Sequence, residues 1–470
     1  MRAAWLAGAC LWLVLPGPAA AQVPAVVRAA RERDLAALKA QVQQKVPVDA
    51  PQADGGTALH WAAHWDDGEA AGLLLAAGAN PNAANDLGVT PLGLACVNGS
   101  APMVARLLAA GADPNAAAQT PPLVLCARTG SAPAVQALLE RKADVHAREP
   151  HRDQTALMAA AAEGHVEAAR LLLAAGADVR ARARVTRVVI NRANPNDVLA
   201  AMVGEVSQGG STPLLFAARH GSPEMGALLI SAGADPNEIA PDGTSALTIA
   251  VHGNHTALAR VLLEKGSSPN IIGSGYSALQ AAVLRGNAEL AGALIARGAN
   301  VNFRLRNGTA TTRGSREYFL PDSLVGATPA LLAAKFLEPD ILRLLLSKGA
   351  DVSIPLADGT TALMAAAGLG SQTQLFDRRD RIAVLRGSDE AATLEVIEVL
   401  KGVPLDVNAA NAAGDTALHA AARMNYPAVA RLFLARGARP DARNKKGETP
   451  LAVASGDEVR AALRDGGARD

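Results

Sequence analysis

The sequence predicts an all-α solenoid of stacked helix pairs, and three observations carry that expectation. A short pattern recurs along the chain, as Thr-Ala-Leu at Thr57, Thr-Pro-Leu at Thr90, and variants at Pro121, Thr155, Thr212, Ser245, Ser277, Thr328, Thr361, Thr416 and Thr449. The steps between copies are 33, 31, 34, 57, 33, 32, 51, 33, 55 and 33 residues, a period near 33 with three insertions. A glycine stands 21 residues after the Thr or Ser in most copies, as at Gly78, Gly111, Gly176, Gly233, Gly266, Gly298 and Gly349. Finally, half of the residues are apolar while aromatics are only 3%. A core of Ala, Leu and Val suits helices that meet the same kind of neighbour again and again.

Each element has a local cause. The Thr or Ser accepts backbone N–H groups at the start of a first helix, and Pro fits its first turn. The Leu and the Ala-Ala pair then fall on one face at helical spacing. A second helix carries an apolar triplet such as Leu73–Leu75, and glycine ends it in the left-handed conformation. Lys142 replaces that glycine in the third repeat, which predicts a strained or altered turn there. An Asp/Asn-rich stretch such as Asp113-Pro114-Asn115 then turns the chain into a hairpin finger.

TALHWAA at 57–63, TPLGLAC at 90–96, TALMAAA at 155–161 and TALHAAA at 416–422 resemble the ankyrin repeat, as do LLLAAGANPNA at 73–83 and LLLAAGADVRA at 171–181. The resemblance covers essentially all of the chain beyond its first residues and implies about eleven repeats. Repeats 1–4 fill 54–179, repeats 5–7 fill 211–302 and repeats 8–11 fill 327–454. A half repeat at 22–53 caps the N-terminal end, and 455–470, with a short charged helix from Asp457 to Arg464, caps the other. The long steps place Arg-rich insertions at 180–210, at 303–326 and near 368–389. The first two extend fingers, and Asn196-Asp197 reads as the start of a short helix through Met202.

Residues 1–21 read as a signal peptide. Arg2 precedes an apolar run, Leu6–Leu15, too short to span a bilayer, and Ala19–Ala21 supply a small-residue cleavage site. No other segment is long and apolar enough to cross a membrane, so the expected location is periplasmic or secreted. The chain is similar to the exported ankyrin proteins of bacteria. Two cysteines follow the leader, Cys96 and Cys126, on first helices of neighbouring repeats. Packed helices lie about 8–10 Å apart and a disulfide needs Cα atoms within about 7 Å, so both read as unbonded core residues.

The formal net charge of +1 argues against nucleic acid. No Walker, Rossmann or zinc-protease pattern occurs. His60 and His64 stand one helical turn apart, but no third ligand is near in sequence, and the resemblance gives His60 a hydrogen-bonding role within and between repeats. No catalytic residue, cofactor or metal is expected. The resemblance instead implies a binding surface on the fingers and on the residues after each Ala-Ala pair. The candidate partner-binding residues are Trp65, Arg128, Arg219, His220, His252, Arg285, Lys335, Phe336, Arg423 and Met424, with Arg182, Arg187, Arg304 and Arg306 on the fingers. Arg128, Arg219, Arg285, Lys335 and Arg423 occupy equivalent positions and read as a basic seam. The expected function is a non-catalytic, monomeric scaffold of the cell envelope that holds another protein with an acidic surface. The alternatives are an enzyme or accessory subunit with a site between the long fingers, and attachment to an acidic cell-wall polymer.

Overall fold

The structure is a computed structural model that describes residues 23–116, 120–194, 197–307, 320, 322–369 and 389–469. The chain divides into two compact units, residues 1–160 with 167–177, and residues 161–166 with 178–470. The predicted leader at 1–21 and Arg313, Arg316, Arg378, Arg379, Arg381 and Arg386 lie outside the described residues.

In the first unit, helices pair as predicted. The capping half repeat gives Ala25–Arg31 and Leu35–Gln43, and the next three repeats give Ala58–His64 with Gly68–Ala76, Pro91–Val97 with Ala101–Ala109, and Pro122–Thr129 with Ala132–Glu140. First helices stack on first helices and second on second. Leu59, Leu92 and Leu123 fill the core from one row and Leu74, Leu107 and Leu138 from the other, all essentially without solvent exposure. Each such burial contributes about 1.5–3 kcal/mol.

The second unit repeats the plan with Pro213–His220 and Pro223–Ser231, Ala246–His252 and Thr256–Glu264, Ala278–Arg285 and Ala288–Ala296, Pro329–Lys335 and Pro339–Ser347, Ala362–Ala366 and Asp389–Leu400, and Ala417–Arg423 and Pro427–Ala435. A final helix, Asp457–Asp465, closes it. Just before it, residues 450–453 form turns rather than the first helix of an eleventh repeat.

The starts of the first helices behave as the Thr/Ser pattern requires. Thr90 Oγ1 accepts from Gly93 N at 3.1 Å, and Ser245 Oγ from Thr248 N at 3.1 Å. His60 caps its own helix by accepting from Thr57 N at 3.1 Å, and its other ring nitrogen meets Val89 O of the next repeat at 2.9 Å. His419 repeats the arrangement with Thr416 N and Glu448 O, and Gln280 does the same with Ser277 N and Ala327 O. Successive fingers are joined by asparagine side chains. Asn82 Nδ2 donates to Gly111 O while its Oδ1 accepts from Asp113 N, and Asn270, Asn302 and Asn408 repeat that bridge.

Two expectations are corrected. Asn196-Asp197 does not open a helix: Val185–Asn194 and Asp197–Gly209 form an antiparallel ribbon with Val188 opposite Val206 and Ile190 opposite Gly204. The β-branched run of 185–190 prefers extended backbone, and Asp197, which reads as part of a helix cap, opens the second strand instead. It is the one sheet among the described residues.

The second correction is that Cys96 and Cys126 form a disulfide, with Cα atoms 4.5 Å apart. The spacing of about 8–10 Å holds between helix axes, and Cα atoms sit about 2.3 Å off each axis. Residues that face one another across small side chains therefore approach to about 4–5 Å, inside disulfide reach. The turn at Lys142 is strained, as its sequence suggests: Lys142 takes the glycine conformation, with φ at 62°.

Candidate functional site

The candidate surface is built from the C-terminal ends of the first helices and the adjoining fingers. In the first unit that surface is aromatic. Trp65 lies at the end of its helix, stacked on Trp61 with ring centroids 6.2 Å apart and meeting His64 edge-on at 4.6 Å. Its indole Nε1 donates to Arg31 O at 3.1 Å, and Trp61 Nε1 donates to Gln52 Oε1, tying the helix end to the finger. One repeat on, Asn98 Nδ2 donates to Ala63 O and His64 O, so the end of Pro91–Val97 sits against the end of Ala58–His64. Val97 beside it is exposed, as is Arg128 in the third repeat.

In the second unit most candidate cations are engaged within the protein. Arg219 Nη1 donates to Ser211 Oγ at 2.7 Å, and its guanidinium lies 5.8 Å from the centre of the Phe216 ring. Arg285 Nε donates to His252 O in the repeat before it, and the His252 ring lies 6.2 Å from Tyr276. Arg423 forms a bidentate pair with Asp415, both bonds 2.8 Å. Burial alone would raise the Asp415 carboxyl, but the bonds from Arg423 and Asn444 outweigh it and hold the group below its ordinary value. His220 is exposed and Met424 half-buried.

Lys335 and Phe336 correct the expectation of exposure. Only 6% and 3% of their surfaces reach solvent. The register that leaves Trp65 open in the first repeat leaves them closed in the eighth, so equivalence along a repeat does not fix exposure.

The finger arginines are held at their bases. Arg182 reaches Gly210 O and Ile239 O, and pairs with Glu238 at 3.1 Å. Burial raises the Glu238 carboxyl above its ordinary value, against the opposing bond from Thr212 and the charge of Arg182. Arg187, on the ribbon, is exposed. Arg304 donates to Gly326 O and Pro355 O, and Arg306 lies 5.8 Å from the centre of the Phe303 ring.

The structure thus does not gather the seam into one file of solvent-facing cations. His255 Nε2 meets Arg219 O at 3.1 Å, so it too is committed to the fold, and no cluster of three metal-ligating side chains occurs among the described residues. No described helix is long and apolar enough to cross a membrane. Sequence reasoning passed over Leu87, on the finger of the second repeat, although a leucine between aspartate and glycine in a turn is a visible signal.

Family models of the ankyrin repeat match the chain. A family model described as "Ankyrin repeats (3 copies)" matches residues 26–118, 116–183 and 214–305, and a single "Ankyrin repeat" model matches 413–445. Neurogenic locus notch homolog protein 1 of Xenopus tropicalis is 33% identical over 141 residues, which is 27% of this chain and 6% of that protein. The chain therefore spans a small fraction of that relative's length. A crystal structure of the human ASB11 ankyrin repeat domain aligns at 24% identity with a TM-score of 0.42, covering 55% of this chain and 100% of that one.

Proposed function

Because the chain belongs to the ankyrin-repeat family, we propose that it is a non-catalytic scaffold of the bacterial cell envelope that holds an acidic protein partner on its arginine-bearing finger. Ankyrin repeats generally mediate protein–protein interaction, and the helix ends and fingers described above are the surface they offer here.

One observation carries the finer reading. Arg180, Arg182, Arg184, Arg187 and Arg192 follow one another into the ribbon with no carboxylate between 180 and 192. The four described at its base, Arg180 to Arg187, are exposed. A run of one charge on a projecting element steers and orients a partner of opposite charge. Two features support export. The leader-like composition of 1–21 is one, and the Cys96–Cys126 bond, which suits an oxidising compartment, is the other.

The test is affinity capture from envelope extracts with the tagged protein and with an Arg184→Glu, Arg187→Glu variant. Reversal of two interface charges should weaken capture by about 2 kcal/mol, and raised salt should weaken it for the unchanged protein as well. Capture that survives both the double reversal and high salt would rule out the finger as the binding element.

A further inference from the structure

The large apolar side chains that stand open to solvent among the described residues fall in two regions, repeats 1 and 2 and the base of the ribbon, whose sequences differ in charge. The first lies in repeats 1 and 2, where Trp65 is 42%, Leu87 66% and Val97 50% exposed. The Asn98 bridge sets Val97 beside the Trp65 helix end, and Asp86 N donates to Asp54 O at 2.8 Å, joining the two fingertips next to Leu87. Residues 47–119 carry Asp49, Asp54, Asp66, Asp67, Glu69, Asp86 and Asp113 against Arg106, with Glu69 paired to Lys39 at 2.8 Å. The second patch lies at the base of the ribbon, where Val185 is 51% and Ile239 44% exposed. Arg182 joins its parts by donating to both Gly210 O and Ile239 O, and Arg180, Arg184 and Arg187 surround it.

Neither patch suits water, and each has what the other lacks. The stacked Trp61–Trp65 pair, followed in sequence by Asp66, Asp67 and Glu69, favours a guanidinium carried on an apolar stretch. The segment Arg-Ala-Arg-Ala-Arg-Val-Thr-Arg-Val-Val at 180–189 is such a stretch. Extended backbone from Val185 onward presents it on a two-stranded ribbon, an element that is marginal alone and gains from a partner. We infer that copies of this chain associate with one another, the ribbon base of one copy seating on the Trp65–Leu87–Val97 face of another. This rests on the reading that the finger holds an acidic protein surface, and it names that surface. It also replaces the monomer that the sequence suggested. The contact joins two different patches, so it is heterologous and can continue beyond a pair.

Sedimentation velocity on the purified protein over a range of micromolar concentrations tests this, with circular dichroism to confirm that each variant is folded. The mean mass should rise with concentration at low salt and fall back toward one chain at high salt. Leu87→Asp, at the most open of the apolar positions, should weaken association about tenfold or more. Asp86→Arg and Arg187→Asp should each weaken it, and the double exchange should restore part of the loss. A mass of one chain at every concentration overturns the proposal. So does association that persists unchanged in Leu87→Asp and Asp86→Arg. If mass stays at one chain while Arg184→Glu, Arg187→Glu still loses an envelope protein, self-association fails and the scaffold reading stands. If Asp86→Arg abolishes association while no other protein is captured, the acidic partner is the chain itself.

Discussion

The first helices of the two units share one register but handle polarity in opposite ways. In the first unit their ends carry Trp65, Val97 and Arg128, all exposed, and the surrounding sequence is acidic. In the second the same register holds Arg219, Arg285, Lys335 and Arg423, and these are engaged with Ser211, with the His252 carbonyl, by burial, and with Asp415. A charged side chain at a helix end is favoured by the helix dipole in any repeat. Whether it also faces outward depends on what the neighbouring repeat presents. Arg423 finds Asp415 eight residues before it, whereas Trp65 meets the rings of Trp61 and His64 and a carbonyl.

The two units also differ in how they are held together, and breaking the disulfide should reveal the largest difference. Cys96–Cys126 closes a 30-residue separation within the first unit. Replacing both cysteines by Ala should cost about 3–4 kcal/mol by the loop-entropy argument. A repeat array need not unfold in one step. The expected result is that proteolysis or hydrogen exchange reports earlier opening of residues 25–140 while the second unit keeps its protection. Equal loss in both units would mean that they unfold together and that the comparison does not extend to stability.

A smaller effect sharpens the same contrast. Lys142 holds φ at 62° where Gly111, in the same unit, and Gly233, Gly266 and Gly298, in the second, hold φ at 92°, 101°, 96° and 83°. A left-handed conformation costs a residue with a Cβ about 1–2 kcal/mol. Lys142→Gly should therefore stabilise the first unit by about 1 kcal/mol, less whatever the greater freedom of glycine in the unfolded chain removes. The Asn115 bond to the Lys142 carbonyl is a backbone contact and survives the change. An unchanged or lower melting temperature would show that Lys142 stabilises its turn through its side chain.

How legible was this in the sequence? The helix pairs were, because period, Thr/Ser caps and glycine stops are local and each has one structural meaning here. The ribbon at 185–209 was not, since Asn-Asp reads as a helix cap, and only the pairing of 185–193 with 201–209 decides for strand. The disulfide was missed by treating an axis spacing as a Cα spacing. Of the candidate surface, Trp65 and Val97 could be placed from the repeat alone. The burial of Lys335 and Phe336 could not, because the corresponding residues of the first repeat, His64 and Trp65, are exposed.

The smallest expected effect concerns acid. His60 in the first unit and His419 in the second sit at the same position of their repeats, and burial holds both imidazoles below the ordinary value, against the backbone carbonyls they meet. A histidine depressed in the folded state is protonated first in the unfolded chain. Its contribution to stability is complete above the ordinary histidine value of about 6.5 and is lost as pH falls below it toward the folded value. Protonation removes the lone pair with which the ring nitrogen accepts from Thr57 N or Thr416 N, so the cap is broken together with the burial. Gln280 makes both bonds without a titrating group, accepting from Ser277 N and donating to Ala327 O. His60→Gln should therefore keep the cap and flatten the acid-side fall in stability of the first unit alone. His419→Gln should do so for the second. Thermal unfolding followed across the range from about pH 7 to pH 5 reads both. If His60→Gln left the acid-side slope of the first unit as steep as before, the carboxylates of residues 47–119, rather than this imidazole, would set its response to acid.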